Sequence, residues 1–453
     1  MKILIAGSGK VGITLARQLS AEGNDLTLID SNLSVLESVV ERYDVMTLHG
    51  NCASMKTLMQ AGLMDADLLI AVTGADEVNL LCCMMAHGIN KNLHTIARIR
   101  NPEYTEQNYE MRDVFSLSLS VNPEKQAAVE IERLLKFPGF LKRDTFAKGR
   151  VEIVELRVDA NSKLCDVPLN GLDAIVKCKV LVCAVLRGGE AAAPDGNFVL
   201  RTGDRIFVTA PTNTLATLLK NLGIITRKVR RVILCGGGRV SFYLAQLLQK
   251  SGINVQLIER DADRCTQLAA MLPSTCVVHG DASDQALLSS EGLEGCDALV
   301  TTTGLDELNM VISLYGNSCG VPQIVTKLSR VENTRILDSL PLGSIVCPKD
   351  LCCNTIVRYV RAMQNQTGAA LSVHSIADGQ AEAVEFLVDE TTLHRGEPLK
   401  KLRLRRNVLI VCIMHGNEIQ IPNGESCFAA GDTLILVTNS SNVILQLNDI
   451  FES

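Results

Sequence analysis

Apolar and polar positions along the first thirty residues change period twice. Ile3-Leu4-Ile5-Ala6 is a short continuous apolar run, as in a strand covered on both faces, and Ile13, Leu15, Ala16 and Leu19 then recur at helical spacing. A second apolar run, Leu26 to Ile29, ends on the acid Asp30. The pattern predicts strand, helix and parallel strand, with Gly7-Ser8-Gly9-Lys10-Val11-Gly12 at the first junction. A glycine at position 7 permits a tight turn, one at 9 lets backbone approach a pyrophosphate, and one at 12 lets helix pack closely on sheet. The free N–H groups of the helix suit phosphate, and an acid at the next strand's end suits ribose hydroxyls.

The same pattern returns later in the chain. Val232-Ile233-Leu234-Cys235 leads into Gly236-Gly237-Gly238-Arg239-Val240-Ser241, and Glu259 follows Gly236 at the spacing by which Asp30 follows Gly7. Leu48-His49-Gly50-Asn51-Cys52 is echoed by Val278-His279-Gly280-Asp281-Ala282, and Thr73-Gly74-Ala75-Asp76-Glu77-Val78-Asn79 by Thr303-Gly304-Leu305-Asp306-Glu307-Leu308-Asn309. Four landmarks in one order mark a duplication.

A second, different pattern is also repeated. Short alternating runs at Val151–Val158, Val180–Leu186 and Arg205–Thr209 are matched by Val384–Val388, Val408–Met414 and Thr433–Val437, with no glycine-rich phosphate loop. Between the two kinds of unit lie helix signals. Pro123-Glu124 opens one, with an acid in its first turn and a stop at Phe137-Pro138-Gly139, and Pro348 to Met363 is its counterpart. Ala128, Ile131, Leu134 and Leu135 form an apolar face that either packs on its own domain or crosses onto a neighbouring subunit. The fold class expected is α/β, two Rossmann-like parallel-sheet domains alternating with two small α+β domains. The expected divisions are 1–122, a connecting helix in 123–143, 144–226, 229–347, a second connecting helix in 348–367, and 368–453.

Composition narrows the function classes. A chain of 453 residues suits about two to four domains. With 4% aromatics and no Trp it lacks stacking platforms for single-stranded nucleic acid, and a net charge of −6 gives no global basic field for DNA or anionic lipid. The sixteen Cys lie in apolar runs or as adjacent pairs and form no C-x-x-C, which reads as buried thiols in a reducing cytosol rather than a disulfide framework or metal site. The opening Met1-Lys2-Ile3 runs straight into a strand, so no signal peptide is expected, and no apolar run approaches the roughly 20 residues of a membrane span.

With these motifs assembled, the chain resembles the TrkA family: cytosolic regulatory subunits of Trk potassium-uptake systems, built from paired nucleotide-binding RCK-N (KTN) and RCK-C domains. The resemblance covers the whole chain and its tandem order, and includes Ala97-Arg98-Ile99-Arg100-Asn101-Pro102-Glu103-Tyr104. It implies NAD(H), or alternatively ATP/ADP, as ligand, an integral membrane Trk-type potassium transporter subunit as partner, and assembly as a homo-oligomer, dimer or tetramer. It further implies a cytoplasmic protein, peripheral at the inner face of the membrane through that partner, with no nucleic acid bound and no direct membrane insertion. On this resemblance, Gly7, Ser8, Gly9, Lys10 and Val11 wrap phosphates ahead of Gly12, and Asp30 holds ribose. Asn51 and Cys52 flank adenine, Thr73 and Gly74 close the far side, and Arg98 meets phosphate or a neighbouring domain. The same roles fall in the second half to Gly236, Gly237, Gly238, Arg239, Val240, Glu259, Asp281, Ala282, Thr303 and Gly304. Two departures stand out: Asn51 replaces a common acid, and Ser241 replaces the third glycine and adds bulk between helix and strand. Lys327 stands near the place of Arg98 in the second half. Asp30 is followed by Ser31 and Asn32 rather than a cation, so nothing beside it favours a 2′-phosphate.

An NAD-dependent oxidoreductase acting on a small substrate is the alternative, because the glycine fingerprint also serves hydride transfer. Such an enzyme needs a proton donor and groups that orient substrate. The seven His are scattered, and no serine elbow, zinc spacing or Walker lysine accompanies them, so no catalytic residue and no metal ligand are assigned.

Overall fold

The computed structural model describes residues 1–106, 112–136, 139–160, 162–211, 214–222, 228–329, 337, 340–364, 370–439, 444 and 446–452. The helix stop expected at residues 137 and 138, and the divisions expected at 226, 367 and 453, fall outside them.

The described chain divides into two compact units, Met1–Ala127 with Cys347–Val360, and Ala128–Val346 with Arg361–Ser453. In the first unit, strands β1 (Lys2–Ala6), β2 (Asp25–Asp30), β3 (Met46–His49), β4 (Leu68–Ala71), β5 (His94–Arg98) and β6 (Leu119–Val121) form one sheet in the order β3-β2-β1-β4-β5-β6. All of its pairings are parallel, so the order reverses between β1 and β4 and leaves a crevice at their carboxyl ends. The central strands β1 and β4 are apolar along almost their whole length because helices cover both faces, among them α1 (Lys10–Ala21), α2 (Leu33–Val40), α3 (Met55–Gln60) and α4 (Asp76–Ile89).

The second unit repeats this sheet. Strands β12 (Arg231–Cys235), β13 (Asn254–Glu259), β14 (Cys276–His279), β15 (Ala298–Thr301), β16 (Gln323–Lys327) and β17 (Ser344–Val346) run in the order β14-β13-β12-β15-β16-β17. It also holds two five-stranded antiparallel sheets. One joins β7 (Lys142–Phe146), β8 (Val151–Arg157), β9 (Leu181–Arg187), β10 (Glu190–Ala192) and β11 (Arg205–Pro211). The other joins β18 (Ala370–Ile376), β19 (Ala381–Leu387), β20 (Val408–His415), β21 (Glu418–Gln420) and β22 (Thr433–Asn439). The architecture is α/β with two Rossmann-like sheets and two small antiparallel ones, as the repeated patterns predict. The two small sheets share one core, in which Phe146, Ile153, Cys183 and Phe207 meet Ile376, Ala383, Val411, Cys412 and Ile435.

Within the chain, the connecting helices have partners beyond the domains that precede them in sequence. Pro348–Met363 leaves the second Rossmann half in sequence, yet its stretch to Val360 belongs to the first unit, where the Cys353 thiol lies 3.8 Å from the Val11 carbonyl and Tyr359 Oη lies 2.9 Å from His94 Nδ1. Within the second unit, the carboxyl-terminal part of Pro123–Lys136 meets the second Rossmann half: Gln323 donates to the Leu134 carbonyl at 2.7 Å and Ser251 to Glu132 at 2.9 Å. The carboxyl-terminal part of the first helix and the greater part of the second therefore each pack on the half that they do not follow in sequence. An apolar helix face states that a partner exists without saying which.

Candidate functional site

The first crevice is built on two glycines that no other residue replaces without movement. Gly7 has φ +106°, and a Cβ there would lie 2.8 Å from the Thr73 nitrogen, so the turn after β1 runs against the end of β4. A Cβ at Gly12 would come within 1.9 Å of the Gly7 carbonyl oxygen. Gly9, which caps α1, has no atom within 4 Å of that position, and neither has Gly74 across the crevice. Open space thus lies over the amino end of α1, where Ser8, Gly9, Lys10 and Val11 follow the turn and unsatisfied N–H groups attract anions.

Asp30 reaches this turn from the end of β2. One carboxylate oxygen accepts from the Ser8 N–H at 2.6 Å and the Ser8 hydroxyl at 2.5 Å, and the other from the Asn32 N–H at 2.8 Å. Burial pushes its pKa upward, but these hydrogen bonds prevail and hold the carboxyl below its ordinary range. Beyond β3, the Asn51 side chain accepts from the Ala53 N–H at 2.9 Å, closing a tight turn that carries the buried Cys52. The departure from an acid at 51 leaves that turn intact, since an amide oxygen serves as acceptor.

The far wall is held by Asn79, which is wholly buried. Its carbonyl oxygen accepts from the Thr73 N–H at 2.8 Å and hydroxyl at 2.7 Å, and its amide donates to the Arg98 carbonyl at 2.9 Å, tying the ends of β4 and β5 together. Arg98 donates back to the Thr73 carbonyl, and Arg100 to the Gly74 carbonyl at 2.6 Å. Burial, followed by the neighbouring Arg100 charge, lowers the Arg98 pKa. Asp76 accepts from the Arg100 and Asn101 N–H groups, both at 2.7 Å. Asp76 and Asn79 were visible as a repeated word in the sequence, but their role as ties between strand ends was not. Arg98 lies at the crevice wall with its guanidinium engaged by backbone.

The second crevice follows the same plan with different side chains. Gly236 has φ +102°, and Gly238 and Gly304 face open space as Gly9 and Gly74 do. Glu259 accepts from the Gly237 N–H at 2.6 Å and the Asp261 N–H at 2.9 Å. Arg239 and Val240 open the helix Arg239–Lys250. Asp281 accepts from the Ser283 N–H at 2.8 Å and hydroxyl at 2.7 Å, bonds that lower its pKa, and Ala282 beside it is buried. Thr303 bonds to Asn309, Asn309 to the Lys327 carbonyl at 2.9 Å, and Lys327 Nζ to the Thr303 carbonyl at 2.7 Å, so lysine does here what Arg98 does in the first half. Ser241 is accommodated rather than crowded. Its hydroxyl bonds to the Gly236 carbonyl and lies 2.6 Å from the Thr302 hydroxyl, where the first half has Val72. One neighbour had no signal in the sequence: Arg264, whose Nε donates to the Gly237 carbonyl at 2.9 Å.

Among the histidines, His49 and His279 each place Nε2 3.1 Å from a carbonyl, of Ser31 and Arg260. Among the described residues no group of His, Cys, Asp or Glu has the clustering of a metal site, and no helix is long and apolar enough to cross a membrane.

Fold and crevice together define a tandem Rossmann-type protein in which each parallel sheet is followed along the chain by a small antiparallel sheet. Family models described as the TrkA-N domain match residues 3–116 and 232–348, and those described as the TrkA-C domain match 153–223 and 383–451. The chain belongs to the TrkA family. It is 30% identical over 460 residues to the Trk system potassium uptake protein TrkA of Haemophilus influenzae, covering 100% of this chain and 99% of that protein. It is 32% identical over 452 residues to the TrkA homolog of Archaeoglobus fulgidus, covering 100% of both. Among solved structures, the GsuK channel bound to NAD is similar in fold, with TM-score 0.61 and 19% identity over 97% of this chain and 77% of that one. GsuK bound to ADP is similar at TM-score 0.52 and 14% identity over 80% and 69%. The relatives are named for potassium uptake and not for a reaction.

Proposed function

We propose that the chain is the cytosolic regulatory subunit of a Trk-type potassium uptake system, which gates an integral membrane transporter subunit in response to NAD(H) or ATP/ADP bound in its glycine crevices. It works as a homo-oligomer at the inner face of the membrane, held there by its partner. The observation that carries this reading is the open space over Gly9 at the amino end of α1, faced by the Asp30 carboxylate and repeated over Gly238 near Glu259. Family membership and the relatives' names support the potassium system.

In this reading Gly7 through Val11 receive the phosphates on their N–H groups, with Lys10 within reach as a cation, and Asp30 receives ribose hydroxyls in exchange for Ser8. Asn51 and Cys52 border the base, and Thr73, Gly74 and Arg98 close the opposite wall. Gly236 through Val240, Glu259, Asp281, Ala282, Thr303 and Gly304 act likewise in the second crevice, with Gly237 lying against Glu259 until ligand enters. The phosphate turn is in contact with more than ligand, because the Cys353 thiol meets the Val11 carbonyl. A shift of the turn therefore reaches the second connecting helix, which leads in sequence into the last small sheet. Two ligands that differ by about 1 to 3 kcal/mol in their preference for two positions of this helix suffice for regulation.

The test is potassium flux in vesicles holding the transporter, with purified subunit and each nucleotide added in turn. Asp30→Ala weakens the nucleotide response while the subunit still binds the transporter. A nucleotide response equal to that of the unaltered subunit would refute the role.

A further inference from the structure

The two crevices share a plan, yet at one position they offer a ligand opposite hydrogen-bonding groups. In each Rossmann sheet the strand before the glycine turn, the strand that ends on the acid, and the edge strand stand side by side, as β1-β2-β3 and β12-β13-β14. Neighbouring strands lie about 4.8 Å apart. A nucleotide with phosphate over the first and ribose over the second therefore continues with its base over the end of the third. There β3 and β14 run into Asn51 and Asp281. Each of these residues follows a glycine whose N–H donates to the carbonyl of the acid, Gly50 to Asp30 and Gly280 to Glu259, both at 2.9 Å. Both side chains belong to exposed residues, within reach of a ligand.

Asn51 and Asp281 have the same shape, and each commits one oxygen to its own turn. Asn51 Oδ1 accepts from the Ala53 N–H at 2.9 Å, and that donor fixes which end of the amide faces the turn. The NH2 group is turned outward and donates to no described residue, while Oδ1 keeps a second lone pair. Asp281 Oδ1 accepts from the Ser283 N–H at 2.8 Å and from the Ser283 hydroxyl at 2.7 Å, and Oδ2 accepts from no described residue. The group left for a ligand is thus a donor in the first crevice and an acceptor in the second.

We infer that Asn51 and Asp281 set the base specificity of the two crevices: the first admits 6-oxo purines, guanine and hypoxanthine, as well as adenine, and the second admits adenine alone. This specificity rests on the nucleotide reading of both crevices. At Asn51 the amide nitrogen donates to a 6-oxo group, or Oδ1 accepts from a 6-amino group with its remaining lone pair. At Asp281 only the bond from a 6-amino group can form. A 6-oxo group there sets two acceptors face to face, and neither recovers the hydrogen bonds it had with water.

The experiment titrates the full chain with GDP and with ADP by calorimetry, unaltered and as Asn51→Asp and Asp281→Asn. Both exchanges keep the side-chain shape and the oxygen that each turn uses. Asp30→Ala, which removes the acid of the first crevice, assigns each binding event. In the unaltered chain ADP binds at both crevices and GDP at the first. Asn51→Asp lowers GDP affinity there about fivefold or more while ADP stays within about twofold, and Asp281→Asn adds a second GDP event. GDP binding at both crevices of the unaltered chain, at neither while ADP binds, or with equal affinity in Asn51→Asp overturns the specificity and leaves the nucleotide reading standing. Absence of binding by ADP, NADH and GDP alike refutes the nucleotide reading itself.

Discussion

Replacing Asp30 with alanine removes an acceptor that is already in use, which sets the size of the effect. A ribose diol on this carboxylate makes two charge-assisted hydrogen bonds, each worth about 1.5 to 3 kcal/mol. The gain is reduced because the Ser8 N–H and hydroxyl, held at 2.6 and 2.5 Å in the free protein, must yield at least one bond to the ligand. Asp30 is also only partly buried, so water screens the charge. A net loss of about 1.5 to 2.5 kcal/mol remains, or roughly ten- to seventyfold in affinity. Isothermal titration calorimetry with ADP and with NADH measures it, and the second crevice serves as internal reference because Glu259 is untouched. One binding event weakens by that factor in Asp30→Ala and the other does not. Because its hydrogen bonds outweigh burial and depress the carboxyl pKa, the Asp30 contribution is present at neutral pH and disappears only as pH falls through the lowered folded-state value. A change smaller than about threefold, or one shared by both events, refutes the assignment of ribose to this acid.

Three further outcomes follow from the packing. Gly12→Ser destabilises the first half by about 1 to 3 kcal/mol, since a Cβ there meets the Gly7 carbonyl, and adding Val72→Thr recovers about 1 kcal/mol by supplying the hydroxyl that Thr302 gives Ser241; denaturant melts of both singles and the double check this, and purely additive effects contradict it. Asn79→Ala leaves the Thr73 N–H without its partner and separates the ends of β4 and β5, costing about 1 to 3 kcal/mol in thermal melts and weakening nucleotide at the first crevice more than at the second. Burial, with the Asp144 charge second, raises the Glu130 pKa to about 7, so the folded chain holds a proton there that the unfolded chain releases from about pH 4.5 upward. Stability from this group therefore falls as pH rises toward 7, and Glu130→Gln raises the melting temperature at pH 8 while changing little at pH 5. An equal shift at both pH values contradicts that origin.

The elements legible in the sequence are those whose burial and period agree. β1 and β12 are apolar because helices cover both faces, and their glycine turns carry a conformation and a close approach that few residues tolerate. Strand β7 was illegible for the opposite reason. The division expected at 143 cuts through Lys142-Arg143-Asp144-Thr145-Phe146, which is a strand in which Arg143 is buried and bonds both Glu152 oxygens at 2.7 Å, while Asp144 lies 3.0 Å from His374 Nδ1. Charges that neutralise one another across strands leave no hydrophobic signal. The exchange of the connecting helices was hidden too, because Cys352 and Cys353 record only that their face is buried. At the crevices, residues attached to the glycine turns in sequence were found, whereas Arg264 reaches Gly237 from within a helix whose spacing gives no sign of it.

Regulation as proposed requires that both glycine crevices take nucleotide. A crystal structure of the full chain grown with ADP tests it most directly. The expected density is a diphosphate against the N–H groups after Gly7 and after Gly236, with ribose on Asp30 and Glu259. Two empty crevices at saturating ADP, and again with NADH, would contradict it.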